Sequence, residues 1–94
     1  MNQEEKVCRA IIEKNGVNYQ VTVAIEEAAE LTKELTKLVR SKGSPTKICE
    51  EIADVEICLA QLKLMIPNSR KKIALFKKYK LERLQLIYVE ETEG

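Results

Sequence analysis

Histidine is absent from this 94-residue chain, and its cysteines are only Cys8, Cys49 and Cys58, with no Cys-x-x-Cys pair. Those shortages exclude the usual zinc sites, which need several imidazole or thiolate donors at short spacing. They also exclude a Ser/His/Asp triad. An odd set of scattered thiols does not build a disulfide framework, so buried, reduced cysteines in a cytoplasmic protein are the expectation. Glycine and proline number three and two, which leaves few turns and no glycine-rich phosphate loop. No apolar run approaches the ~20 residues that span a bilayer. The opening MNQEEKVCRA carries charge where a secretory leader needs an apolar segment, so no membrane partner is expected. A net charge of +1 and an aromatic content of 4% argue against nucleic acid, which wants a basic surface and stacking rings.

What remains is rich in helix formers, 45% hydrophobic and 33% charged. Three breaks punctuate it: NG at 15–16, KGSP at 42–45 and PNS at 67–69. The spacing between them predicts helices over about residues 3–14, 18–41, 45–66 and 69–88, with 89–94 as a frayed tail. Gly43 suits the end of the second helix, Ser44 and Pro45 the start of the third, and Ser69 the cap of the fourth. The expected fold is all-α, a single domain over 1–94 built as an antiparallel four-helix bundle. A chain this short buries little core, and its first helix is too short to cover both long ones, so dimerisation is expected to complete it.

The second helix carries an apolar stripe at Ala24, Ala28, Leu31, Leu35 and Leu38. The third carries one at Ile48, Ile52, Val55, Leu59, Leu62 and Ile66. At ~100° per residue, Glu27 and Glu30 fall on one flank of the first stripe, and Glu51 and Asp54 on the matching flank of the second. Antiparallel packing brings the two acid pairs together at the edge of the core. Asp54 is the chain's sole aspartate; the other fourteen acids are glutamates. Such pairs mostly decorate solvated faces when they occur singly, and it is their coincidence on two helices that suggests a site. Glu34 and Glu50 continue the clusters outward as solvated neighbours. Like charges gathered beside a core persist only if protonated or neutralised by a cation. Oxygen donors without imidazole or thiolate suit Mg²⁺, with Mn²⁺ as a substitute.

Glu26-Glu27-Ala28-Ala29-Glu30, followed by Glu51-Ile52-Ala53-Asp54, resembles the EExxE…ExxD signature of MazG-type all-α nucleoside triphosphate pyrophosphohydrolases. The likeness covers about residues 20–66, with a weaker echo in KLERL at 80–84. It implies a helical homodimer or higher oligomer that splits a nucleoside triphosphate with Mg²⁺ and water into the monophosphate and diphosphate, a nucleotide-pool house-cleaning reaction. By position it implies Glu27, Glu30, Glu51 and Asp54 as metal ligands, with Glu26 as an accessory catalytic residue.

A triphosphate needs further cations. Lys80 and Arg83 fall within the apolar face of the fourth helix, made of Ile73, Phe76, Tyr79, Leu84 and Ile87, and are the candidates for phosphate oxygens; snorkelling at a bundle edge is the plainer reading. Arg70, Lys71, Lys72, Lys77 and Lys78 read as a solvated face. At the head of the second helix Gln20, with Asn18 and Tyr19, is a candidate for a nucleobase. Cys58, one turn past Asp54, reads as wall. The competing expectation is a non-enzymatic helical interaction module, or one binding nucleic acid through its basic fourth helix.

Overall fold

Asn2 starts the first helix: its side-chain oxygen accepts the Glu5 amide at 2.8 Å, and Glu4 and Glu5 complement the helix dipole. The structure, a computed structural model, describes residues 1–90, and these form α1 (Gln3–Asn15), α2 (Val17–Val39), α3 (Pro45–Met65) and α4 (Ser69–Gln85). A π-helical turn, Leu86–Glu90, follows. The expected all-α fold is the fold observed. Of the tail expected at 89–94, Val89 and Glu90 are helical and 91–94 lie outside the described residues. Among the described residues no helix is long and apolar enough to cross a membrane.

Gly16 alone joins α1 to α2. Its φ of 88° and ψ of 159° form a backbone state open in practice only to glycine. The joint between α2 and α3 is made differently from the expectation. Ser41, not Gly43, takes the left-handed conformation at φ 60°. The Ser41 amide donates to the Leu38 carbonyl and the Lys42 amide to that of Lys37, a Schellman closure. Gly43 is needed for another reason: a Cβ there would sit 2.8 Å from the Leu38 Cα. Ser44 caps α3 as expected, accepting the Lys47 amide at 3.3 Å, with Pro45 in the first turn. Ser69 does not cap α4. Its hydroxyl donates back to the Lys63 carbonyl at 3.0 Å and so closes the end of α3, while Asn68 turns the chain at φ 59°.

The helices α1, α2 and α3 pack on one another, with the α2–α3 hairpin as the main seam, whereas α4 touches the others only where it leaves α3. The Arg70 guanidinium reaches Glu5 at 3.6 Å across that junction. Beyond Ser69 every described residue of α4 is exposed. The radius of gyration is therefore 16.8 Å, against about 12 Å for a globular chain of this length.

The core is rotated from the expected stripes. Ile48 is buried, and Ala24, Leu31, Val55 and Leu62 are half-buried, but Ala28, Leu35, Leu38, Ile52, Leu59 and Ile66 are exposed. Buried in their place are Cys8, Gln20, Glu34, Glu51, Cys58, Gln61 and Ser69. The apolar residues of α2 and α3 cover a wider arc than one neighbour can fill, and in a single chain the two helices meet along the polar flank of that arc. The rest of the apolar surface faces outward.

Candidate metal centre

The α2–α3 seam buries polar side chains alongside its apolar ones. Near the start of α2, the Gln20 amide nitrogen donates to Gln61 Oε1 at 2.9 Å, and Gln20 Oε1 accepts from Asn15 at 3.0 Å. Both ends of the Gln20 amide are thus engaged by neighbouring side chains. Cys8 and Cys58 are buried, and desolvation first of all pushes both thiols up. For Cys58 the charges of Glu27 and Asp54 add to the shift, so it stays a neutral thiol and forms wall beside the acids, as its position suggests.

About two turns along α2 from Gln20, the seam becomes acidic. One carboxylate oxygen each from Glu27, Glu51 and Asp54 lies within 4.8 Å of the others. That spread is close to twice a Ca–O bond of about 2.4 Å, and little more than twice a Mg–O bond of about 2.1 Å, so small side-chain shifts suffice for one ion. Glu51 is buried, with 4% of its surface exposed, and Glu27 and Asp54 are half-buried. The donor set is oxygen alone, the kind that suits hard cations such as Mg²⁺, Ca²⁺ or Mn²⁺.

The electrostatics record the crowding. The Glu27 carboxyl is held above its ordinary value by desolvation, then by the charges of Asp54 and Glu51, a hydrogen bond with Asp54, and the charge of Glu30. In the absence of a cation, Glu27 therefore holds its proton more readily than an ordinary glutamate. Glu30 is exposed and outside the close trio, near enough to be felt but free to swing. Glu26 is exposed on the far side of Glu27. Lys80 and Arg83 ride on the outlying α4, both exposed, with Lys80 beside Ile73, Phe76, Lys77 and Leu81 in a shallow groove. Among the described residues no hydrogen bond or ion pair joins either one to the acids. A cleft of about 640 Å³ lies elsewhere, between α1, α3 and the start of α4, lined by charges of both signs that include Glu5, Glu56, Lys63 and Arg70.

Besides Gln61, two residues escaped the sequence pattern. Glu34, expected in solvent, is buried at 5% exposure and pairs with Lys37 at 3.3 Å. Lys47 stands 3.2 Å from Glu51 and 3.8 Å from Glu50. The i, i+4 step from Glu30 was the available signal for Glu34, and an amide inside CLAQLKL was the signal for Gln61. Comparison with known proteins returns no matching family model, no matching curated protein and no matching solved structure.

Proposed function

We propose that the chain is a Mg²⁺-dependent nucleoside triphosphate pyrophosphohydrolase of the MazG type, converting a (d)NTP and water into the (d)NMP and diphosphate. One observation carries the reading: Glu27, Glu51 and Asp54 come from two helices, present only oxygen, and converge to within 4.8 Å. These three would hold the cation, with Glu30 able to swing in as a fourth ligand. A divalent cation bound there supplies charge to draw in a triphosphate and to acidify a water. One of the carboxylates around the site would take the proton that water gives up as it attacks the α-phosphorus. The half-buried seam limits solvent around the reacting oxygens.

The active form in this reading is a homodimer. A folded 10.8-kDa monomer exposes about 5,500 Å², whereas this chain exposes 7610 Å². The excess, roughly 2,000 Å², is the area one subunit gives up in an obligate dimer. The outward Leu35, Leu38, Ile52 and Leu59, and the apolar face of α4, are the surface available for it. Lys80 and Arg83, remote from their own subunit's acids, would then serve the site of the second copy.

The test is a screen of common and modified (d)NTPs with Mg²⁺ or Mn²⁺, with the products identified. Monophosphate and diphosphate are expected. Glu51→Gln and Asp54→Asn should each lower turnover by about 10²–10⁴-fold while circular dichroism shows the same helix content. Full activity in either variant refutes the assignment. The exposed basic α4 supports a second reading, a nucleic-acid-binding arm, for which affinity should fall steeply with salt and vanish in a Lys71/Lys72/Lys77/Lys78 alanine variant.

A further inference from the structure

Lys47 sits in the first turn of α3, where local physics disfavours it. A cation there opposes the helix dipole, and a lysine placed four residues before a glutamate is the weaker orientation of such a pair. Gain within the helix therefore does not explain where its side chain goes. Its ammonium lies 3.2 Å from Glu51 Oε1, and the Glu51 side chain is only 6% exposed. Among the described residues Lys47 is the one ion-pair partner Glu51 has. A buried carboxylate left unpaired is costly, and here it also faces Glu27 and Asp54 across the seam. The Ser44 side chain, bonded to the Lys47 amide, fixes the backbone from which the lysine reaches. Glu50 at 3.8 Å and, more weakly, the buried Glu34 add negative charge around the ammonium. Yet the lysine side chain itself is 45% exposed, so its head can leave for water without breaking the core.

We infer that Lys47 is a positioning residue: a tethered counter-ion that holds Glu51 in the seam of the metal-free protein and gives way when a divalent cation arrives. This rests on the carboxylates being a cation site. It assigns the chain a built-in competitor for its own metal, which lets the hairpin fold before the ion is present and weakens the ion's binding once it is.

Lys47→Gln and Lys47→Arg, with the wild-type chain, are titrated with Mn²⁺ alone at pH 8, with free Mn²⁺ followed by electron paramagnetic resonance. The glutamine variant should bind roughly tenfold tighter, since a unit charge a few ångströms from the ion is removed. Its metal-free thermal midpoint should be lower than wild type, and arginine should restore both. An ordinary structural ion pair would lower the midpoint and leave the affinity unchanged, and that result overturns the inference while the metal site stands. If neither wild type nor variant binds Mn²⁺, the inference and the functional reading fall together. In the wild-type chain, where folding of a variant is not at issue, Mg²⁺ should move the Lys47 Cε resonance toward that of a free lysine. A Lys47 signal that stays put while the Glu51 carboxyl shifts also overturns it.

Discussion

The two ends of the α2–α3 seam bury polar groups to opposite effect. Toward the head of α2, Gln20 and Gln61 form a neutral pair whose donor meets an acceptor, with Asn15 completing it. Toward the hairpin turn, Glu27, Glu51 and Asp54 crowd together, and among the described residues Lys47, paired with Glu51, is the one cation bound to the trio. The amide end is complete within the chain and fixes how the helices register. At the acidic end the hydrogen bonds are met, since no buried side-chain polar atom among the described residues lacks a partner, but the charge is not balanced. A satisfied buried network stabilises; crowded titratable groups in a seam mark a candidate functional site.

Replacements at each end should separate these roles. Gln61→Ala leaves the Gln20 amide buried without its acceptor and should cost about 1–3 kcal/mol in chemical denaturation. A Gln20→Leu/Gln61→Leu double variant should recover most of that, because both partners leave together. Asp54→Asn should do the reverse at the acidic end. By relieving like-charge repulsion it should stabilise the metal-free protein by about 1 kcal/mol, while abolishing any stabilisation by Mg²⁺. A loss of metal-free stability in that variant would equate the two ends and remove the distinction.

The smallest effect is a change of slope with pH. Glu27 binds its proton more tightly in the folded chain than at its ordinary value of 4.5, so the folded state holds more protons than the unfolded one between those two values. Its contribution to metal-free stability therefore falls as pH rises from 4.5 through the folded value, and is constant above it. Glu5, held below its ordinary value first by its hydrogen bond with Arg9, works the other way, its contribution being lost as pH falls below 4.5. Comparing thermal midpoints of Glu27→Gln and wild type from pH 4.5 to 8 isolates the first effect. The variant should lose the decline, and parallel curves would show that Glu27 is not strained.

Much of this was readable in the chain. The three breaks divide it as observed, and Ser44-Pro45 starts α3 as expected, because caps and turn residues act locally. The acid pairs could be placed on facing flanks because a three-residue step on a helix leaves little freedom. How far the two helices roll about their axes was not readable. Ala28, Leu35 and Ile52 fit a core face as well as Gln20, Glu51 and Cys58 do, and only three-dimensional packing decides between them. Lys47 and Glu34 pair within their own helices, with Glu51 and Lys37, and the packing of the two helices decides that the carboxylate of each pair is buried. The outlying α4 has an apolar face like any bundle helix, and its sequence does not say against what that face lies.

The tight joint at residues 40–44 has a bearing on chemistry it never touches. A point between Arg40 and Ser41 is a mirror for the hairpin: Gln20 and Gln61, Glu27 and Asp54, Glu34 and Lys47 each stand equally far to either side of it. Gly43, pressed against the backbone of Leu38, keeps that mirror in place. Adding a single residue there would roll one arm by about 100° and misalign every rung of the ladder at once, so the span of this bend is the gauge by which the acids find one another.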